Sequence, residues 1–129
     1  MLAARYPTSG AEAGAIRVER VDRPIPGPGE VLVEVAVSGV NPSDWKARGS
    51  AGREHPAWVI PNQDGAGRIV AVGNGVPNAR VGERVWLWQA QWQGATGTAA
   101  EYVAVPPTRR WRFRTACRSS WQLDWVSRP

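Results

Sequence analysis

One cysteine, Cys117, stands among 129 residues. It excludes an intrachain disulfide and any zinc site built from several cysteines. The histidine count is also one, His55, set in a polar loop (50–56) and read as an ordinary surface residue. No apolar run approaches the length that spans a bilayer, and no charged-then-apolar leader opens the chain. The expectation from these absences is a soluble cytoplasmic protein without a membrane partner. Long helical periodicity and internal repeats are missing as well.

What remains is rich in punctuation. Fourteen glycines and eleven prolines spread through a chain long enough for one domain with its own core. This favours short strands and tight turns over helix. The net charge of +5 invites a nucleic-acid partner, but its distribution argues against one. Residues 1–106 hold ten basic and ten acidic side chains, whereas residues 107–129 hold six arginines and one acid, Asp124. The chain changes character near Pro106.

Strands are expected at Leu2–Tyr6, Ala15–Val21, Val31–Val37, Ala57–Ile60, Arg68–Val72, Arg84–Trp88 and Thr98–Val105. Ile16, Val18 and Val21 are apolar among charged neighbours, roughly as a half-buried strand requires. Val31–Val37 is apolar on both faces except at Glu34, so it should be central. Pro24–Gly29 is a turn-rich connector that cannot be helix. Asn41–Arg48 reads as a short helix that Asn41 or Ser43 caps and Gly49 ends. The sum is a mainly β, partly open barrel with one short helix.

Two polar clusters follow apolar runs. The first is Gly39-Val40-Asn41-Pro42-Ser43-Asp44-Trp45-Lys46, and the second is Pro61-Asn62-Gln63-Asp64-Gly65-Ala66-Gly67. Read from residues alone, each has a plain structural reading. Asn41 before Pro42 is a helix cap or turn residue. Asp44 caps the helix or pairs with Lys46. Gln63 and Asp64 bond backbone in a loop. Gly65 and Gly67 serve close backbone packing, because they lack the strand-glycine-helix context of a dinucleotide fingerprint. Trp86, Trp88 and Trp92 either stack on a flat ligand or serve core packing and loop anchoring.

These stretches, with Pro26-Gly27-Pro28-Gly29-Glu30-Val31-Leu32-Val33, Val72-Gly73, Val81-Gly82-Glu83-Arg84-Val85-Trp86 and Ala99-Ala100-Glu101-Tyr102-Val103, come in one order and spacing. In that order the chain resembles the N-terminal catalytic domain of the medium-chain dehydrogenase/reductase superfamily. The nearest resemblance is to its zinc-independent quinone oxidoreductase (zeta-crystallin-like) branch. It implies a GroES-like barrel over residues 1–106, with the Rossmann domain that would follow missing here. The family's cofactor is NADPH, which this fragment is not expected to bind tightly. The implied substrate is a small quinone, and family members can form homodimers. Zinc-dependent relatives carry Cys at the Asn41 position and His at the Gln63 position, so the resemblance implies no catalytic metal. It points to Asn41 as a hydrogen-bond donor to a developing oxyanion. Ser43, Asp44, Gln63, Asp64 and Trp88 are implied near substrate and cofactor. The alternatives are an enone or alkene reductase of the same superfamily, or a stand-alone GroES-like module whose basic tail recruits an acidic partner.

The tail departs from the family. The genetic code offers a reason: take the third base of each codon with the first two of the next. Trp111–Arg112, where the arginine uses a CGN codon, and Trp121–Gln122 then give Ala, Asp124–Trp125 gives Leu and Trp125–Val126 gives Gly. The permissive positions allow Phe113–Pro129 to read Pro-Asp-Gly-Val-Ser-Phe-Glu-Leu-Ala-Ala-Gly-Leu-Gly-Ile-Pro-Ala, the phrase with which the family continues. Residues 107–129 are therefore expected to be a frameshifted, poorly ordered tail that begins near Pro106–Pro107.

Overall fold

The computed structural model describes residues 1–8, 15–49, 57–91, 94–106 and 110–112, the last three as backbone only. The strands are β1 (Leu2–Pro7), β2 (Arg17–Arg20), β3 (Val31–Gly39), β4 (Trp58–Val59), β5 (Asp64–Val72), β6 (Arg84–Leu87), β7 (Tyr102–Val105) and β8 (Arg110–Arg112). One helix, α1 (Pro42–Gly49), follows β3, and a 3-10 turn covers Asn78–Arg80. The fold is mainly β, as the residue pattern requires.

The strands form two antiparallel sheets, ordered β2-β1-β4 and β7-β3-β5-β6-β8. Backbone bonds from Ala4 N–H to the Ala99 carbonyl and from Glu101 N–H to the Leu2 carbonyl join β1 to the chain just before β7. An Ile60–Thr96 bridge makes a second join. The result is a partly open barrel.

β3 is central, paired with β5 on one side and β7 on the other. Its apolar first half supplies Val31 and Val33 to a core shared with Ile69, Val85, Leu87, Val103 and Val105. β6 and β7 alternate strictly between outward and buried positions, the period-two pattern of a half-buried strand. Each fully buried aliphatic side chain contributes about 1.5–3 kcal/mol relative to exposure.

Three expectations change. β5 starts four residues earlier than the apolar run suggests, because Asp64-Gly65-Ala66-Gly67 pairs with Val35–Gly39. The expected packing role of Gly65 and Gly67 is what allows this. A Cβ on Gly65 would stand 2.7 Å from the Val37 carbonyl oxygen, and one on Gly67 would overlap the Glu34 carbonyl. β2 is not half-buried: Ile16 is 48% and Val18 70% exposed, since β2 lies at a sheet edge beside β1 alone. Finally, the expected strand Thr98–Val105 and the expected poorly ordered tail both differ from the structure. The strand there is shorter, and Arg110–Arg112 of the basic tail pairs with β6. The rest of the tail, residues 107–109 and 113–129, lies outside the described residues, as do His55, Trp92 and Cys117.

Candidate active site

β3 ends at Gly39 and α1 starts at Pro42, so Val40 and Asn41 turn the corner. Proline suits the first helical position, where its missing N–H would have no helical partner and its fixed φ is already helical. Asn41 is then the N-cap and Asp44 the third helical residue. The Asn41 backbone N–H donates to Asp44 Oδ2 at 2.6 Å, which is one half of a capping box. The other half is absent: the Asp44 N–H bonds the backbone carbonyl of Asn41 at 3.0 Å. The Asn41 side chain is thus released from capping. Its Nδ2 donates instead to Asp64 Oδ2 at 2.7 Å.

The two carboxylates tie three segments together. Asp44, 5% exposed, accepts the Gln63 backbone N–H on Oδ1 at 3.2 Å. A carboxylate this buried is tolerated when both oxygens accept N–H groups. Asp64 accepts the Gln89 N–H on Oδ1 at 3.3 Å. That N–H is presented by a left-handed turn, with Gln89 at φ 53°. The β3–α1 corner, the start of β5 and the turn after β6 therefore meet at two side chains.

A second polar line supports Asp64 from behind. Thr98 is fully buried, and its Oγ1 donates to the Asp64 carbonyl at 2.7 Å. A hydroxyl has one hydrogen, so in its 2.8 Å bond with Ser38 Oγ Thr98 accepts. Ser38 in turn accepts from Asn62 Nδ2 at 2.8 Å. Asn62 is left-handed, at φ 77°, a region asparagine tolerates better than most residues. Beside this line, Gln63 Nε2 donates to Gln91 Oε1 at 3.4 Å, and Gln91 Nε2 to the Gly94 carbonyl at 3.4 Å. Gln63 Oε1 is buried without a partner among the described residues.

Of the residues singled out from sequence, the structure brings Asn41, Asp44, Gln63 and Asp64 into one network. Ser43 is exposed on the first turn of α1 and takes no part in it. Trp88 is 46% exposed and adjoins the network through its neighbour Gln89. Core packing does not account for Trp88 or for Trp86, which is 44% exposed. Alternation along β6 sends Val85 and Leu87 inward and Trp86 out, and Trp88, just past the strand, is exposed as well. Thr98, Asn62, Gln89 and Gln91 were not foreseen. The one available signal was the Pro61-Asn62 pair, a turn-forming dipeptide ahead of a strand. Among the described residues, no group of three or more His, Cys, Asp or Glu side chains is arranged to hold a metal.

An open antiparallel barrel with a short helix after its central strand, and a polar site at that corner, defines the class: a GroES-like domain. The chain belongs to the alcohol dehydrogenase GroES-like domain family, matching it over residues 27–114, within the medium-chain dehydrogenase/reductase superfamily. It is 39% identical to an alcohol dehydrogenase of Moraxella over 59% of this chain and 24% of that one. It is 34% identical to a chloroplastic quinone oxidoreductase of Triphysaria versicolor over 79% of this chain and 31% of that one. A mycobacterial protein solved in complex with NADPH superposes with a TM-score of 0.73 at 29% identity, covering 92% of this chain and 35% of that one. The chain thus spans about a quarter to a third of the length of these relatives.

Proposed function

We propose that this chain is the substrate-side barrel of a zinc-independent, NADPH-dependent quinone oxidoreductase. One observation carries the reading, the chemistry of the donor set at the β3–α1 corner. Positions 41 and 63, where the family resemblance implies a Cys and a His in zinc-dependent relatives, hold amides. The carboxylates beside them have their oxygens turned onto N–H groups. A zinc ion seeks thiolate, imidazole or free carboxylate lone pairs. Here it would meet carboxylate oxygens that already accept N–H groups and, beside them, neutral amide oxygens, which are poor zinc ligands. The residues do not fit zinc.

A quinone suits such a site because it is already electrophilic. Its reduction needs orientation and hydrogen bonds more than a Lewis acid. NADPH, when bound, supplies the hydride, and a proton completes the hydroquinone. Asn41, partly exposed at the corner, orients the reacting groups. Asp64 and Asp44 hold that corner. The exposed indole of Trp88 offers a flat ring a stacking surface.

The described residues fit only the reacting end of the cofactor. Their left-handed glycines, Gly29, Gly75 and Gly82, precede a strand, a 3-10 turn and a strand. None joins a strand to a helix N-terminus, as a pyrophosphate cradle requires. The nucleotide is assigned to a Rossmann domain of the kind the family resemblance implies.

The test uses a full-length relative. Replacing the residue aligned with Asn41 by Ala should lower kcat/KM for quinone about 10- to 100-fold, the effect of one lost oriented hydrogen bond. A chelator should leave the rate unchanged. An unaltered rate in the variant, or a chelator-sensitive enzyme, refutes the reading.

A further inference from the structure

We infer that Asp64 is a positioning residue that fixes the polarity of the Asn41 amide, so that the corner presents the acceptor Asn41 Oδ1 to a ligand O–H or N–H. The inference rests on reading this corner as the ligand site and specifies what the site recognises.

The polarity has one solution. A carboxylate only accepts hydrogen bonds, so the 2.7 Å contact with Asp64 Oδ2 must be made by Asn41 Nδ2. Turning the amide over would set two acceptor oxygens against each other with no proton between them. Asp64 cannot swing away to relieve this. Its Oδ1 holds the Gln89 N–H at 3.3 Å, its carbonyl holds Thr98 Oγ1 at 2.7 Å, and its backbone pairs with Gly39. Asn41 is pinned in the same way by its backbone N–H on Asp44. Its Oδ1 makes no hydrogen bond to the described residues.

Two ligands carry the matching donor. A hydroquinone offers an O–H, and the carboxamide of a nicotinamide offers an N–H. Both lose the donor on methylation, in 1,4-dimethoxybenzene and in N,N-dimethylnicotinamide.

The experiment uses the 129-residue chain, labelled with nitrogen-15 and observed by NMR. In the native chain, one Asn41 side-chain amide proton should exchange slowly and resonate away from those of exposed asparagines. Hydroquinone, nicotinamide or both should shift the Asn41 signals with about tenfold higher affinity than their methylated counterparts. Which of the two does so identifies the source of the donor. In Asp64→Asn the amide is free to turn over, and the preference should fall below about threefold. Fast exchange of both native Asn41 protons, equal affinity for methylated and unmethylated compounds, or no binding overturns the inference. So does a preference that survives in folded Asp64→Asn. The native-chain measurements stand even where that variant fails to fold. They also do not depend on turnover, so failure of the quinone reductase reading and failure of this polarity are separable.

Discussion

Asn41 occupies a helix N-cap without capping the helix. The proline beside it and the carboxylate three residues on do that work, leaving the amide for Asp64. Asp44→Ala removes the acceptor for two backbone N–H groups, so we expect a loss of about 1–3 kcal/mol in urea denaturation. Thr98→Val keeps the shape but strips the hydroxyl from the Asp64 carbonyl and from Ser38. It should cost a similar ~1–3 kcal/mol in the same measurement, because buried polar groups are left without partners. Asn41, Asp44, Gln63 and Asp64 were legible in the sequence because they fall in two short polar clusters behind apolar runs. Thr98 was not. It reaches Asp64 across 34 residues, and a lone threonine before a strand carries no mark of burial.

At the scale of elements, β3 and β5 decide the fold. The central place of β3 was readable from its apolar run on both faces. The full length of β5 was not, since glycines weaken a strand by propensity. They are required here because the β5 backbone passes so close to β3. Gly67→Ala forces a methyl onto the Glu34 carbonyl. We expect it to prevent β3–β5 pairing, seen as loss of the cooperative thermal transition. Ile69→Ala, at a fully buried position, should keep the fold and cost about 2–5 kcal/mol in denaturant. The misjudged burial of β2 has a simple cause. Alternation tells which residues share a face but not whether a second layer covers it.

At the scale of the whole molecule, the chain carries one wall of the proposed cleft. The isolated chain should show no NADPH oxidation with a simple quinone, monitored at the cofactor's near-ultraviolet absorbance; measurable turnover refutes the assignment of the nucleotide to a second domain. The reading of residues 107–129 as out-of-frame is checked at the nucleotide level. Restoring one base near the codons for Pro106–Pro107 should open a long frame with a glycine-rich dinucleotide motif, and a closed frame refutes it. The family match ends at residue 114, within the segment where composition changes.

The sequence by itself determined the class of this protein. Glycine and proline punctuation, apolar runs of strand length and an ordered set of short motifs are local properties, and they name an open barrel with a polar corner. The tertiary structure decided which way the corner's groups face. The polarity of Asn41 depends on an acceptor 23 residues away, and the set of Asp64 on a hydroxyl and an N–H from two further segments. Hydrogen bonds are directional and made across the fold, so they exist only once the strands have brought those segments together.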